Sequence, residues 1–143
     1  MNPIALQARN VLPVFFVVAA LFLGWQSTLR QTAVSQASVK EVTALEAKAL
    51  MDAGALVIDV RDRAAADRMH LPGALLIPVE VLFAHLGQLE AAKARNVVVY
   101  CGNGSSRGPE AATILSNAGF TQVVNLKSGI EGWRSAGLPT AKL

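Results

Sequence analysis

Two short runs, "ALVIDV" at residues 55–60 and "NVVVYC" at residues 96–101, are apolar at nearly every position and rich in β-branched side chains. A strand with one wet face alternates polar and apolar residues. A strand without that alternation is covered on both sides, as in the interior of a parallel sheet. Such a sheet needs helices on both faces, and the segments around the two runs supply them. Thr43 followed by Glu46 is a capping box that opens "ALEAKALMDAG", with Leu45, Ala49 and Leu50 on one helical face and Gly54 as the stop. After the first run, "RDRAAADRMHLPGA" reads as a turn, a short helix and a Pro-Gly loop, and "LLIP" at 75–78 as a second strand. "VLFAHLGQLEAAKA" (81–94) is helical in pattern, and "GPEAATILSNAGF" (108–120) is a helix with Pro109 in its first turn and Gly119 just past its end. "TQVVNL" is the last strand and "SGIEGWRSAGLP" a short terminal helix and turn. Strands alternating with helices at this spacing predict an α/β domain with a mostly parallel sheet, beginning near Val39.

The 143 residues suffice for one such domain. Hydrophobic content is 52% against 16% charged, and the apolar excess sits at the amino end. There "VLPVFFVVAALFLGW" (11–25) runs fifteen residues without a charge, behind Arg9. At 1.5 Å per residue it reaches roughly 22 Å, short of the ~30 Å hydrocarbon core unless residues 4–8 join it and Arg9 snorkels. The run is apolar on every face, which argues against a globular helix. A retained single-pass anchor is the preferred reading, in the cytoplasmic membrane if the source is bacterial. A cleaved signal using the small residues Ala33, Ser35 and Ala37, leaving a secreted or periplasmic domain, is the alternative. Arg9 on one side and Arg30 and Lys40 on the other choose no topology. Residues 26–38, "QSTLRQTAVSQAS", read as a tether. The expected organisation is therefore a membrane segment (1–25), a linker (26–38) and a folded domain (39–143). A lone cysteine allows no intramolecular disulfide, and the net charge of +3 is unclustered, so nucleic acid is not an expected partner.

That cysteine, Cys101, ends the most apolar strand, where ligands gather in parallel sheets. Gly102 and Gly104 permit the backbone geometry in which successive N–H groups point inward around an anion. The helix that follows adds its positive end, and both effects favour a thiolate. Asn103, Ser105 and Ser106 complete a polar loop, the serine hydroxyls being candidate donors, and Arg107 is a fixed cationic fork suited to a tetrahedral oxyanion or a thiosulfate-like group. A solitary cysteine is more often a buried hydrophobe than a nucleophile. Strand end, glycines, polar loop, arginine and helix start together reverse that expectation.

"LVIDVRD" (56–62), "HLPGALLIP" (70–78), "VVVYC" before a Gly/Ser loop, "AGFTQVVNLKSGIEGW" (118–133) and a closing "GLP" resemble, in that order, the rhodanese-like domain over roughly residues 39–139. The resemblance implies a three-layer fold, a five-stranded parallel sheet with helices on both sides, and Cys101 heading the active loop. It implies a sulfurtransferase in which Cys101 takes a sulfane sulfur from thiosulfate or a persulfide donor and passes it to a thiol, cyanide or a protein acceptor, with no metal or organic cofactor. The loop departs from the family's common pattern. Gly104 keeps the third place, but the segment from Cys101 to Arg107 is one residue longer. Its "C-x5-R-G-P" is similar to the loops of the cell-division-cycle dual-specificity phosphatases and the arsenate reductases of the same fold. Against phosphatase or arsenate chemistry stand Tyr100, where those proteins carry histidine, and the absence of an acid within residues 102–106. Asp62 or Asp67 could supply a proton for such chemistry. A non-catalytic tethered binding module is the remaining alternative.

Asp59 and Arg61 match the family's "D-x-R" and are expected to brace the loop through hydrogen bonds, against the alternative of an ordinary surface ion pair. His70 is expected to serve a turn, His85 carries no signal, and neither has partners at metal-ligand spacing, so no metal site is expected. Trp133 is expected in the core.

Overall fold

The computed structural model describes residues 39–142, so the apolar run at 11–25 and the tether at 26–38 lie outside them. Among the described residues no helix is long and apolar enough to cross a membrane. Five strands, β1 (Lys40–Val42), β2 (Leu56–Asp59), β3 (Leu75–Leu76), β4 (Asn96–Tyr100) and β5 (Gln122–Leu126), form one sheet in the order β1-β5-β4-β2-β3. Every pairing is parallel. β4 is the central strand, as its uninterrupted valines require.

Side chains alternate across a strand, and in β4 that alternation sorts the core into two halves. Val97, Val99 and Cys101 pack with Ile58, Val60, Leu82, Leu89 and Leu115 on one face. Val98 and Tyr100 pack with Val57, Leu71, Val124, Leu126, Ile130 and Trp133 on the other. The first face is covered by α3 (Val79–His85), the 3₁₀ segment Leu86–Ala92 and α4 (Arg107–Asn117); the second carries α1 (Ala44–Asp52) and α5 (Gly129–Ser135). α2 (Arg63–Arg68) follows β2, capped by Asp62, whose side chain accepts from the Ala65 N–H at 2.9 Å. Each fully buried Val or Leu contributes about 1.5–3 kcal/mol, so the two half-cores dominate the fold.

Three local expectations change. The face of α1 that meets the sheet is Ala44, Ala47, Leu50 and Met51, while Leu45 is 69% exposed and Ala49 is exposed. Ala44, Ala47 and Met51 keep helical spacing, and close approach of the helix favours the small residues over Leu45. The span 81–94 is not one helix: α3 starts at Val79, and a 3₁₀ segment takes over at Leu86. Leu82, Leu86 and Leu89 face the core in both forms, so their periodicity does not distinguish them. β1 is an edge strand of three residues, "KEV", too short to show a pattern of its own; only the family resemblance supplied a fifth strand. Thr43 and Glu46 do form the capping box, and Gly119 stands just past α4 with φ +93°.

Candidate active site

Cys101 leaves the carboxyl end of β4 on the α4 face, 3% exposed. Its Sγ accepts a hydrogen bond from the Gly104 N–H at 3.2 Å. Gly104 has φ +80°, and a Cβ there would lie 2.5 to 2.8 Å from the backbone of Ser128, Leu126 and Gly129, so only glycine lets the chain fold back over the sulfur. The loop is held from outside at three points. The Cys101 carbonyl accepts from Ile130 N–H at 3.0 Å, and the Gly102 carbonyl accepts from Glu131 N–H at 3.1 Å, so the start of α5 is tied to the strand end. The Gly104 carbonyl accepts from Nδ2 of Asn125 on β5 at 2.9 Å. Asn103 and Ser105 bond each other, Oδ1 accepting from the Ser105 N–H at 3.1 Å and hydroxyl at 2.8 Å, which closes an Asx turn at the exposed tip. The serine hydroxyl proposed as a donor to the thiolate is thus engaged at the tip in Ser105, and Ser106 serves as N-cap of α4 through its backbone alone.

The loop opens on a cleft of about 420 Å³ lined by Arg61, Asp62, Arg68, Gly102, Arg107, Glu131 and Arg134, among others. Arg107 sits in the first turn of α4 and is 44% exposed; its nearest carboxylates are Asp62 at 3.8 Å and Glu80 at 3.7 Å, both exposed. These distances are ion-pair contacts and not hydrogen bonds, which leaves the guanidinium free to turn toward an anion in the cleft. The backbone N–H of Ala65 foremost holds the Asp62 carboxyl below the usual carboxylate range, with Arg107 adding to it. Asp67 instead pairs with Arg63 Nε at 2.9 Å on the exposed side of α2 and does not line the cleft.

Asp59 and Arg61 form neither a surface pair nor a direct brace of the cysteine loop. Asp59 is 1% and the Arg61 side chain 8% exposed. Asp59 Oδ1 accepts from the Arg61 N–H at 3.0 Å and Nε at 2.9 Å, and Oδ2 accepts from Nη2 at 2.6 Å and from the Tyr100 hydroxyl at 2.8 Å. Arg61 Nη2 also donates to the Met69 carbonyl at 2.7 Å, and the Tyr100 oxygen accepts from Leu71 N–H at 3.1 Å. The guanidinium lies 5.5 Å from the centre of the Tyr100 ring. What the pair braces is the turn at residues 69–71, because strand alternation turns Tyr100 and Asp59 away from Cys101. Burial opposes the charge on Arg61, yet hydrogen bonds and attraction from Asp59 outweigh it and raise its pKa. Burial, reinforced by Asp59, pushes the Tyr100 hydroxyl well above its ordinary value.

His70 Nδ1 lies 3.1 Å from the Ala66 carbonyl, and the His70 backbone pairs with Ala141, a structural role in the turn. His85 meets the Val81 carbonyl one turn back. Trp133 is fully buried and its Nε1 donates to the Pro139 carbonyl at 2.8 Å. Among the described residues no group of three metal-ligating side chains assembles. The residue that the motif reading missed is Asn125. Its signal was present, an amide inside the apolar stretch "VVNL" at 123–126.

A single thiol at the carboxyl end of the central strand of a five-stranded parallel sheet, wrapped by a glycine loop that feeds a helix, defines the class: the chain belongs to the rhodanese-like domain family, whose model matches residues 43–136. It is 37% identical over 106 residues to the uncharacterised protein YibN of Escherichia coli strain K12, covering 73% of each chain. It is 35% identical over 96 residues to the thiosulfate sulfurtransferase GlpE of Pseudomonas fluorescens, covering 67% of this chain and 85% of that one. The crystal structure of Alr3790 from Anabaena superposes with a TM-score of 0.64 at 32% identity, covering 71% of this chain and 82% of the other. Sulfurtransferase is the activity carried in the names of several of its relatives.

Proposed function

We propose that the protein is a sulfurtransferase that works through a persulfide on Cys101. The Cys101 thiolate attacks the outer sulfur of thiosulfate or of a persulfide donor; a new S–S bond forms as the donor's S–S bond breaks, and sulfite or a thiolate leaves with the electron pair. The Gly104 N–H, 3.2 Å from Sγ, is the observation that carries this reading, since an amide already aimed at the sulfur is a donor for the anionic persulfide that replaces it. A thiolate acceptor, cyanide or a protein cysteine then attacks the outer sulfur and regenerates Cys101. Arg107 meets the anionic donor or leaving group at the mouth of the cleft. Gly102 lines the cleft, and Asn103, Ser105 and Ser106 continue the loop beside it.

A second reading, phosphoryl or arsenate chemistry, draws support from one observation. Asp62 stands 3.8 Å from Arg107 on the cleft wall, an acid where the loop itself has none. One experiment tests both. Intact-mass spectrometry of the full chain after thiosulfate is expected to show a gain of about 32 Da, one sulfur, removed by cyanide and missing in Cys101→Ser. No adduct, but Cys101-dependent hydrolysis of an aryl phosphate or reduction of arsenate, would transfer the protein to the second class; silence in all assays would leave a binding module. The charge-free run at 11–25 supports a membrane-tethered form of this enzyme, and alkaline carbonate extraction with amino-terminal sequencing of the mature chain distinguishes a retained anchor from a released domain.

A further inference from the structure

Asn125 is fully buried on β5, paired with Val99 of β4, and so faces the half-core of Val97, Val99 and Cys101, which is otherwise built from apolar side chains. Its Nδ2 donates to the Gly104 carbonyl at 2.9 Å, with a longer contact to Glu41 Oε1 at 3.4 Å. A carbonyl only accepts, so this bond fixes which way the amide faces. Oδ1 therefore points the other way, at Gly108 in the first turn of α4. A Cβ built on Gly108 would overlap Oδ1 and stand 3.6 Å from Cys101 Sγ. One side chain thus touches the loop at Gly104 and at Gly108, on either side of the sulfur. Oδ1 has no hydrogen-bond partner among the described residues. A buried, unpaired carbonyl costs stability, and an apolar side chain of the same size would avoid that cost. Core packing does not account for the amide, whereas its place against the cysteine loop does.

We propose that Asn125 is a positioning residue for Cys101: its amide holds the Gly104 N–H on Sγ and sets the separation of Gly104 in the loop from Gly108 in α4. The inference rests on Cys101 being the nucleophile, as in the function proposed above, and not on the group that Cys101 accepts. It is therefore tested by thiol reactivity, which is separable from sulfur transfer. In the full chain, Asn125→Leu keeps the branched heavy-atom outline and removes the donor. With folding verified by thermal melting and near-ultraviolet circular dichroism, alkylation of the lone cysteine by iodoacetamide at fixed neutral pH is expected to slow by about tenfold or more, as misplacement of a reacting group does. The Gly104 amide resonance is expected to lose its response to alkylation of Cys101, while the melting temperature holds. A folded Asn125→Leu variant that alkylates within about twofold of the wild type, with the Gly104 response intact, overturns the proposal.

If Asn125→Leu does not fold, the double variant Gly108→Ala/Asn125→Ala decides, because the added methyl occupies the space that the amide vacates. Restored folding with slow alkylation is the expected result, and restored folding with wild-type alkylation refutes positioning. A wild-type chain that loads no sulfur, with the alkylation difference still present, removes the sulfurtransferase reading alone. A wild type that loads sulfur, with no such difference, removes the role of Asn125 alone.

Discussion

Tyr100 and Cys101 are neighbours in sequence at the end of one strand, and their surroundings are opposite in kind. On the Tyr100 side the hydrogen bonding is dense: both Asp59 oxygens, Nε and Nη2 of Arg61, the phenol and the Met69 carbonyl all have partners. On the Cys101 side the sulfur has one amide, the loop is largely glycine and serine, and the nearest buried side-chain amide keeps an oxygen unpaired. A densely bonded buried network holds one geometry. An under-committed one can take up a new charge. The difference separates scaffold from site within two residues, and it argues that the "D-x-R" signature belongs to the scaffold.

Breaking each side should therefore break a different property. The largest expected effect is that of Cys101→Ser, which lowers thiosulfate-to-cyanide sulfur transfer by at least about a thousandfold, as loss of a nucleophile does; urea unfolding is expected to remain cooperative, and a variant that still turns over would refute the nucleophile. Asp59→Ala acts on the other side. It strands the buried Arg61 charge and the Tyr100 hydroxyl, and its expected cost is about 3–5 kcal/mol in urea or thermal unfolding, with the residual folded fraction still loading sulfur. A variant that unfolds like the wild type but fails to load would return Asp59 to the active site.

Gly104→Ala tests the loop itself. The left-handed backbone at φ +80° and the close approach of Ser128, Leu126 and Gly129 together predict a loss of about 2–4 kcal/mol, with slower alkylation of Cys101 in whatever remains folded. The smallest effect is read in pH. The pKa of Tyr100 is raised in the folded protein, so its contribution to stability is complete below the unfolded value of about 10. That contribution is lost as pH rises through the folded-state value. Tyr100→Phe is expected to flatten this alkaline decline and to cost about 1.5–3 kcal/mol at neutral pH for the bond to Asp59. A variant with an unchanged alkaline limb would show that the phenol does not report on the network. On the acid side, Asp62 has a lowered pKa, and its capping contribution, present above about pH 3.9, fades as pH falls; Asp62→Asn keeps the cap and should remove that dependence.

Much of the fold was readable because burial writes local patterns. "ALVIDV" and "NVVVYC" revealed interior strands by their lack of alternation, Gly54 and Gly119 marked helix ends, and the Thr43–Glu46 box opened α1 where it was expected. Where a pattern had two solutions the reading failed. Leu45 looked like a core residue, but a helix lying close to the sheet favours alanine at the contact. β1 left no pattern in three residues. Of the site, the cysteine, its glycines and its arginine were legible because they are contiguous. The pairing of Asp59 with Arg61 was legible, but its direction was not, since the side of the sheet that each faces depends on register.

What the amino-acid sequence by itself determined is the class of domain and the place of its one thiol sulfur: periodicity and punctuation define strands, helices and the loop that follows Cys101, each through interactions between residues near in the chain. The tertiary structure alone decided what surrounds that atom. Parallel pairing sets Asn125 of β5 beside Val99 of β4, and that register carries the amide to Gly104 and the start of α5 to the Cys101 carbonyl. Contacts between strands follow from how the sheet is assembled, and the packing of two half-cores, not the spacing of letters, determines that assembly.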